Sequence, residues 1–141
     1  MRLSEAIRLG AMIRPQAVGR AFRHGRSCAL GAALEATGMA YNARRQRVDL
    51  DVTERWPWAN DRHLKVRCPS CRTCFHTGAG DVIAHLNDTH LWTRDAIAEW
   101  VETIEPADVP AQASEDARAV DAVDPHVASL GTLSTRVEVD Q

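Results

Sequence analysis

The sequence predicts an α-rich, small α+β fold. Helices come first, a strand–turn–helix module follows, then an amphipathic helix, and a disordered tail closes the chain. Three observations carry this. Apolar residues recur at helical spacing in capped segments, short apolar/polar alternation marks strands, and no aromatic residue occurs from Glu105 onward. The expected organisation is a helical and irregular region over 1–62, the central module with its following helix over 63–105, and a tail over 106–141.

Within 3–13, Ser4 reads as an N-cap with Glu5 in the first turn, and Ala6, Ile7, Leu9, Met12 and Ile13 share a side. Gly10 weakens that helix and Pro15 stops it. Residues 14–26 read as loop or broken helix punctuated by Gly19 and Gly25. Ser27 is expected to cap a second helix, CALGAALEAT, closed by Gly38 at C′. Its run of Ala29, Gly31, Ala32, Ala33 and Ala36 lets another backbone approach closely. Cys28 would fall in the first turn, where the dipole lowers a thiol pKa. With no acid or base near it in sequence, it reads as a buried small hydrophobe. Val48–Val52 alternates like a short strand, although the preceding NARRQR suits a helix. Trp56-Pro57-Trp58 is a stiff aromatic corner expected to pack inward. After residue 90, Thr93 caps a helix whose Ile97, Trp100, Val101 and Ile104 form one stripe, and Pro106 ends it.

Bulk composition narrows the function classes. Much of the apolar share is alanine, and aromatic residues make up 5% of 141 residues, so the core is thin. The net charge of −2 hides an asymmetry: residues 1–67 carry +7, 68–104 carry −3 and 105–141 carry −6. A basic front with an acidic tail suits either a solvated arginine face or nucleic-acid contact. No signal segment and no apolar run near the length of a membrane span is seen, so a cytoplasmic location is expected.

The informative stretch is 64–90, LKVRCPSCRTCFHTGAGDVIAHLNDTH, which holds three of the four cysteines. Leu64–Arg67 alternates as a strand, and Cys68-Pro69-Ser70-Cys71 makes a turn presenting two thiolates. Asp81 stands near the start of a helix carrying His85. The spacing C-x2-C, thirteen residues, H-x4-H is that of a tetrahedral zinc site, and clustered thiols in a reducing compartment suit metal rather than disulfides. Cys68, Cys71, His85 and His90 are therefore the expected Zn2+ ligands. His85 and His90 lie about 140° apart on a regular helix, so His90 must come from a loosened last turn. Cys74 and His76 compete for places in this set, and an iron–sulfur site would need Cys28 as a fourth thiolate. His24, His63 and His126 read as side chains without chemistry.

These residues resemble the C2H2 zinc finger: Cys68, Cys71, Phe75, Val82, His85 and His90 occupy its pattern positions, with one extra residue between Phe75 and Val82. The resemblance implies a zinc-bound ββα-like finger with Val82 and Leu86 packed beside Ile83 over Phe75. The continuation HLNDTHLWTRDAIAEW is similar to the bacterial Ros/MucR zinc-finger regulators, and the whole chain looks like a group of small bacterial or phage proteins. The finger resemblance implies DNA binding, with base contacts from about Ala79 to Asn87. That strip offers Ala79, Gly80, Ala84 and Asn87, with Asp81 and Asp88 repelling phosphate and no Arg or Lys between Arg72 and Arg94. If DNA is bound, Arg14, Arg20, Arg23 and Arg26, or Arg44, Arg45 and Arg47, must do it. The reading preferred from sequence is a non-catalytic module that docks on a protein partner. Four protein ligands leave no open metal position, so an enzyme, a small-molecule substrate and a membrane partner are not expected.

Overall fold

The computed structural model describes residues 1–39, 48–71 and 78–107. The chain is α-rich: the described residues contain five α-helices and one two-stranded hairpin. Residues Met1–Val109 form one compact unit. The expected tail, from residue 108 onward, lies outside the described residues.

Helix α1 (Leu3–Ala11) forms because Leu3, Ala6, Ile7 and Gly10, at i, i+3, i+4 and i+7, bury one face. Ser4 does not cap it. The cap position is Arg2, without a side-chain hydrogen bond, and Ser4 is buried inside the first turn. The cap comes from the far end of the domain. The Ser4 amide donates to Glu105 Oε2 at 3.3 Å, its hydroxyl donates to Glu105 Oε1, and Arg2 Nε lies 2.8 Å from the same carboxylate. A buried carboxylate at a helix start satisfies orphan amides and complements the dipole.

The segment expected to be loop contains the hairpin, β1 (Phe22–Arg23) against β2 (Arg26–Ser27). Ser27 belongs to β2, so the cap of α2 (Ala29–Ala36) passes to Cys28, whose Sγ accepts from the Gly31 amide at 3.4 Å. Gly38, at φ 78°, closes α2 as expected. Its amide and that of Met39 donate to the Glu35 and Leu34 carbonyls at 3.0 and 3.2 Å, the two bonds of a Schellman motif. The small-residue face of α2 meets α1 closely enough that a Cβ on Gly10 would sit 1.9 Å from the Ala32 carbonyl oxygen.

Two strand expectations are corrected. Val48–Val52 is the start of helix α3 (Val48–Arg55): Val52 is fully buried, Val48 packs on the core one turn earlier, and Leu50 is 50% exposed. Alternation over five residues fits both periods, and Asp49 and Asp51 in the first turn favour the helix. Leu64–Arg67 is irregular and mostly exposed, and it pairs with no strand among the described residues. The α-rich class stands, but its strands lie before α2 rather than before the cysteines.

A 3-10 turn at Pro57–Asn60 carries the aromatic corner inward as expected. Trp56 is fully buried and its indole donates to the Met1 carbonyl at 3.1 Å, while Trp58 packs on the core edge. Helices α4 (Ala79–Asp88) and α5 (Arg94–Glu102) complete the unit. Thr93 caps α5 by accepting from the Ala96 amide at 3.2 Å. Ile97, Ala98 and Val101 dock that helix chiefly on α1, and α5 ends at Glu102, before Pro106. One buried cluster joins Leu3, Ile7, Leu34, Val52, Trp56, Val82, Ile83, Leu86, Ile97 and Val101. Phe75, expected under Val82 and Leu86, lies outside the described residues.

Candidate metal centre

Helix α4 supplies the frame. Val82, Ile83 and Leu86 are fully buried and fix its rotation, which leaves His85 half-buried toward the cysteine turn. Its start is pressed against the 3-10 turn: a Cβ on Gly80 would meet Asn60 Oδ1 at 2.4 Å, and one on Gly78 would meet the Ala59 carbonyl at 3.0 Å. Glycines at these positions bring α4 close to Trp56–Asn60 and set the height of His85.

The end of α4 does what the five-residue histidine spacing requires. The His85 carbonyl accepts from both the Thr89 amide at 2.9 Å and the His90 amide at 3.3 Å, the second across five residues. This π-type widening brings His90 back over His85. Leu91 then takes φ 54°, and the Trp92 amide donates to the Leu86 carbonyl at 3.0 Å. The turn is stapled from outside. Gln16 Nε2 donates to Asn87 Oδ1 and the Trp92 carbonyl at 2.9 and 2.7 Å. Asn87 Nδ2 donates to the Ala17 carbonyl at 2.8 Å, and the Gly19 amide donates to Asp88 Oδ1 at 2.8 Å.

Cys68, Cys71, His85 and His90 converge as expected. One donor atom from each lies within 4.8 Å of the others, forming a Cys2His2 group that could hold a metal ion. Cys71 Sγ is 3.3 Å from His85 Nε2, and the imidazoles meet edge to face at 4.7 Å between centroids. Two further features suit an ion. His90 Nε2 is buried without a hydrogen-bond partner, an orphan that coordination would satisfy. Two sulfurs and two imidazole nitrogens are the donor set of structural zinc, whose bonds of about 2.0–2.3 Å put tetrahedral donors roughly 3.3–3.8 Å apart, inside the 4.8 Å spread of this group. Cys68 is a buried free thiol, whereas Cys71 is disulfide-bonded and joins an ion only after reduction, since the thiolate is the ligand. Cys74 and His76, the competing ligands, lie outside the described residues.

Cys28 does not belong to the group. It caps α2 on its own, and burial pushes its thiol pKa up, against the lowering that a helix start by itself would give. It is the small hydrophobe of the sequence reading.

The arginines divide. Arg14 pairs with the largely buried Glu35, while Arg20, Arg23 and Arg26 are exposed on and before the hairpin. Arg44, Arg45 and Arg47 lie outside the described residues. Arg94, without a role in the sequence reading, is buried. Its guanidinium donates to the carbonyls of Ala11 at 3.0 Å, Ser27 at 3.3 Å and Arg14, and to the Ser27 hydroxyl at 3.2 Å. It thereby closes the open end of α1. Burial holds its pKa below the usual arginine value, against the opposing pull of Asp95.

Of the strip that a DNA-reading finger would present, Ala79, Gly80 and Asn87 are buried and Ala84 is half-buried. No helix among the described residues is long and apolar enough to cross a membrane. No protein-family model, curated protein or solved structure matches the chain.

Proposed function

We propose that this chain is a non-catalytic, zinc-stabilised scaffold that presents a small helical surface to a protein partner. The observation that carries this reading is the Cys68–Cys71–His85–His90 group: once Cys71 is reduced, four protein donors would fill a tetrahedral sphere and leave no position for a reacting water. The ion would tie the irregular 61–71 segment to the end of α4, in a domain whose alanine-rich core has little stability to spare. The burial of Ala79, Gly80 and Asn87 supports a partner other than a base edge for α4.

One observation favours a second reading, a DNA-binding regulator: Arg20, Arg23 and Arg26 are all exposed within seven residues of sequence. A mixed-sequence duplex titrated with zinc-loaded protein at about 50 mM salt separates the two, because phosphate contacts dominate nucleic-acid affinity at low salt. The scaffold reading expects no binding. Tight binding with a steep salt dependence would replace it with the regulator.

A further inference from the structure

The hairpin places like charges where a hairpin least tolerates them. Its two-residue turn, His24-Gly25, has φ of 47° and 73°, the positive pair of a type I′ turn. The register sets Arg23 directly opposite Arg26, both exposed and in no ion pair among the described residues. Opposed like charges weaken such a pair. The stem is nevertheless held fast: Ser27 exchanges bonds with Pro15 and Ala17 at 3.1 and 2.9 Å, and the Cys28 amide donates to the Ala21 carbonyl at 2.8 Å.

Beside this turn lies a cavity of about 70 Å³ lined by Arg14, Phe22, Arg23, His24, Gly25 and Arg26. Its ionisable lining is wholly basic, and one of the lining residues, Arg14, is paired with the Glu35 carboxylate. We propose that this cavity binds one phosphomonoester group, carried by a phosphorylated side chain of the protein partner. The group brings a charge of about −1.5 to −2 and three acceptor oxygens, which suits two uncompensated guanidiniums. The space admits one tetrahedral group rather than a track of phosphates. One carboxylate, Asp88, lies close by on the Gly19 amide.

This inference rests on the interaction-module reading, and its test is arranged so that either can fail alone. Inorganic phosphate is titrated into zinc-loaded full-length protein and followed by amide chemical shifts. Saturable shifts centred on residues 22–27 are expected, weakened about tenfold or more in Arg23→Ala/Arg26→Ala, as loss of charge-assisted bonds implies. Both side chains are exposed, so an unchanged zinc content and melting temperature confirm that the variant is folded. A phosphoserine peptide, its serine twin and a charge-matched oligonucleotide are then compared, and binding of the phosphopeptide alone is expected. Absent or non-saturable phosphate shifts overturn the proposal, as does indifference to the double substitution. Preference for the oligonucleotide overturns it too, in favour of nucleic acid. Failure of the phosphate arm with zinc content intact leaves the scaffold reading standing, whereas a zinc-free chain that still binds phosphate removes the scaffold reading alone.

Discussion

Replacing Gly10 by alanine tests the close α1–α2 packing. In an exposed helix the change would stabilise by about 1 kcal/mol through propensity. Here the added methyl would lie 1.9, 2.3 and 2.8 Å from the O, C and Cα of Ala32, all backbone atoms that cannot rotate aside. The helices must separate by roughly 1 Å or more. Overpacking costs about 1–3 kcal/mol where side chains can adjust, and backbone contact puts this site at or beyond the upper end. The net loss is then about 2 kcal/mol, or roughly 8–16 °C in Tm for a domain of this size. Gly38→Ala is the control: nothing lies within 4 Å of its Cβ, and φ 78° alone costs about 1–2 kcal/mol. Thermal melts followed by far-UV circular dichroism measure both. A Gly10→Ala protein that melts at or above the wild-type temperature would refute the packing argument.

Other perturbations bear on other parts of the account. Arg94→Met strands the carbonyls of Ala11 and Arg14, leaves that of Ser27 with the Ala17 amide alone, and should destabilise by about 1–3 kcal/mol or more, read by chemical denaturation. Cys28, buried and with its thiol pKa raised, should resist iodoacetamide in the native protein and alkylate on unfolding, as mass spectrometry of the peptide would show. Arg8, hydrogen-bonded to Glu102 at 2.7 Å, holds that exposed carboxylate below its ordinary pKa. A depressed carboxylate contributes above its unfolded pKa and loses that contribution as pH falls through its folded value. Carboxyl NMR should therefore show the Glu102 midpoint rising in Arg8→Met, with little change in Tm.

Local signals carried much of the fold. Thr93, Gly38 and the spacing of Ile97 and Val101 each act within a few residues, and the structure places them as their chemistry requires. The alanine-rich face of α2 also announced a close neighbour. What the sequence hid is long-range. Glu105 caps α1 from 101 residues away, and its presence leaves Ser4 buried instead of at the cap. Arg94 closes the end of α1 from 83 residues away. Val48–Val52 misled because five alternating residues satisfy a strand and one helix face alike, and only burial of Val52 with exposure of Leu50 decides. The Leu64–Arg67 strand came from the same short-window ambiguity. The candidate site was more legible than the fold, because ligand spacing is a local constraint. The loosened turn before His90 followed from the helical angle alone. The staples from Gln16 and to Ala17 that hold this turn cross about 70 residues and left no mark in sequence.

The Cys2His2 group is central to the proposed scaffold, and its chemistry can be measured. X-ray absorption at the zinc edge of reduced, purified full-length protein addresses it directly. One zinc per chain with two sulfurs near 2.3 Å and two nitrogens at about 2.0–2.1 Å is the predicted shell. A shell of three or four sulfurs, or a reduced protein that binds no zinc and melts at the same temperature with or without it, would contradict it.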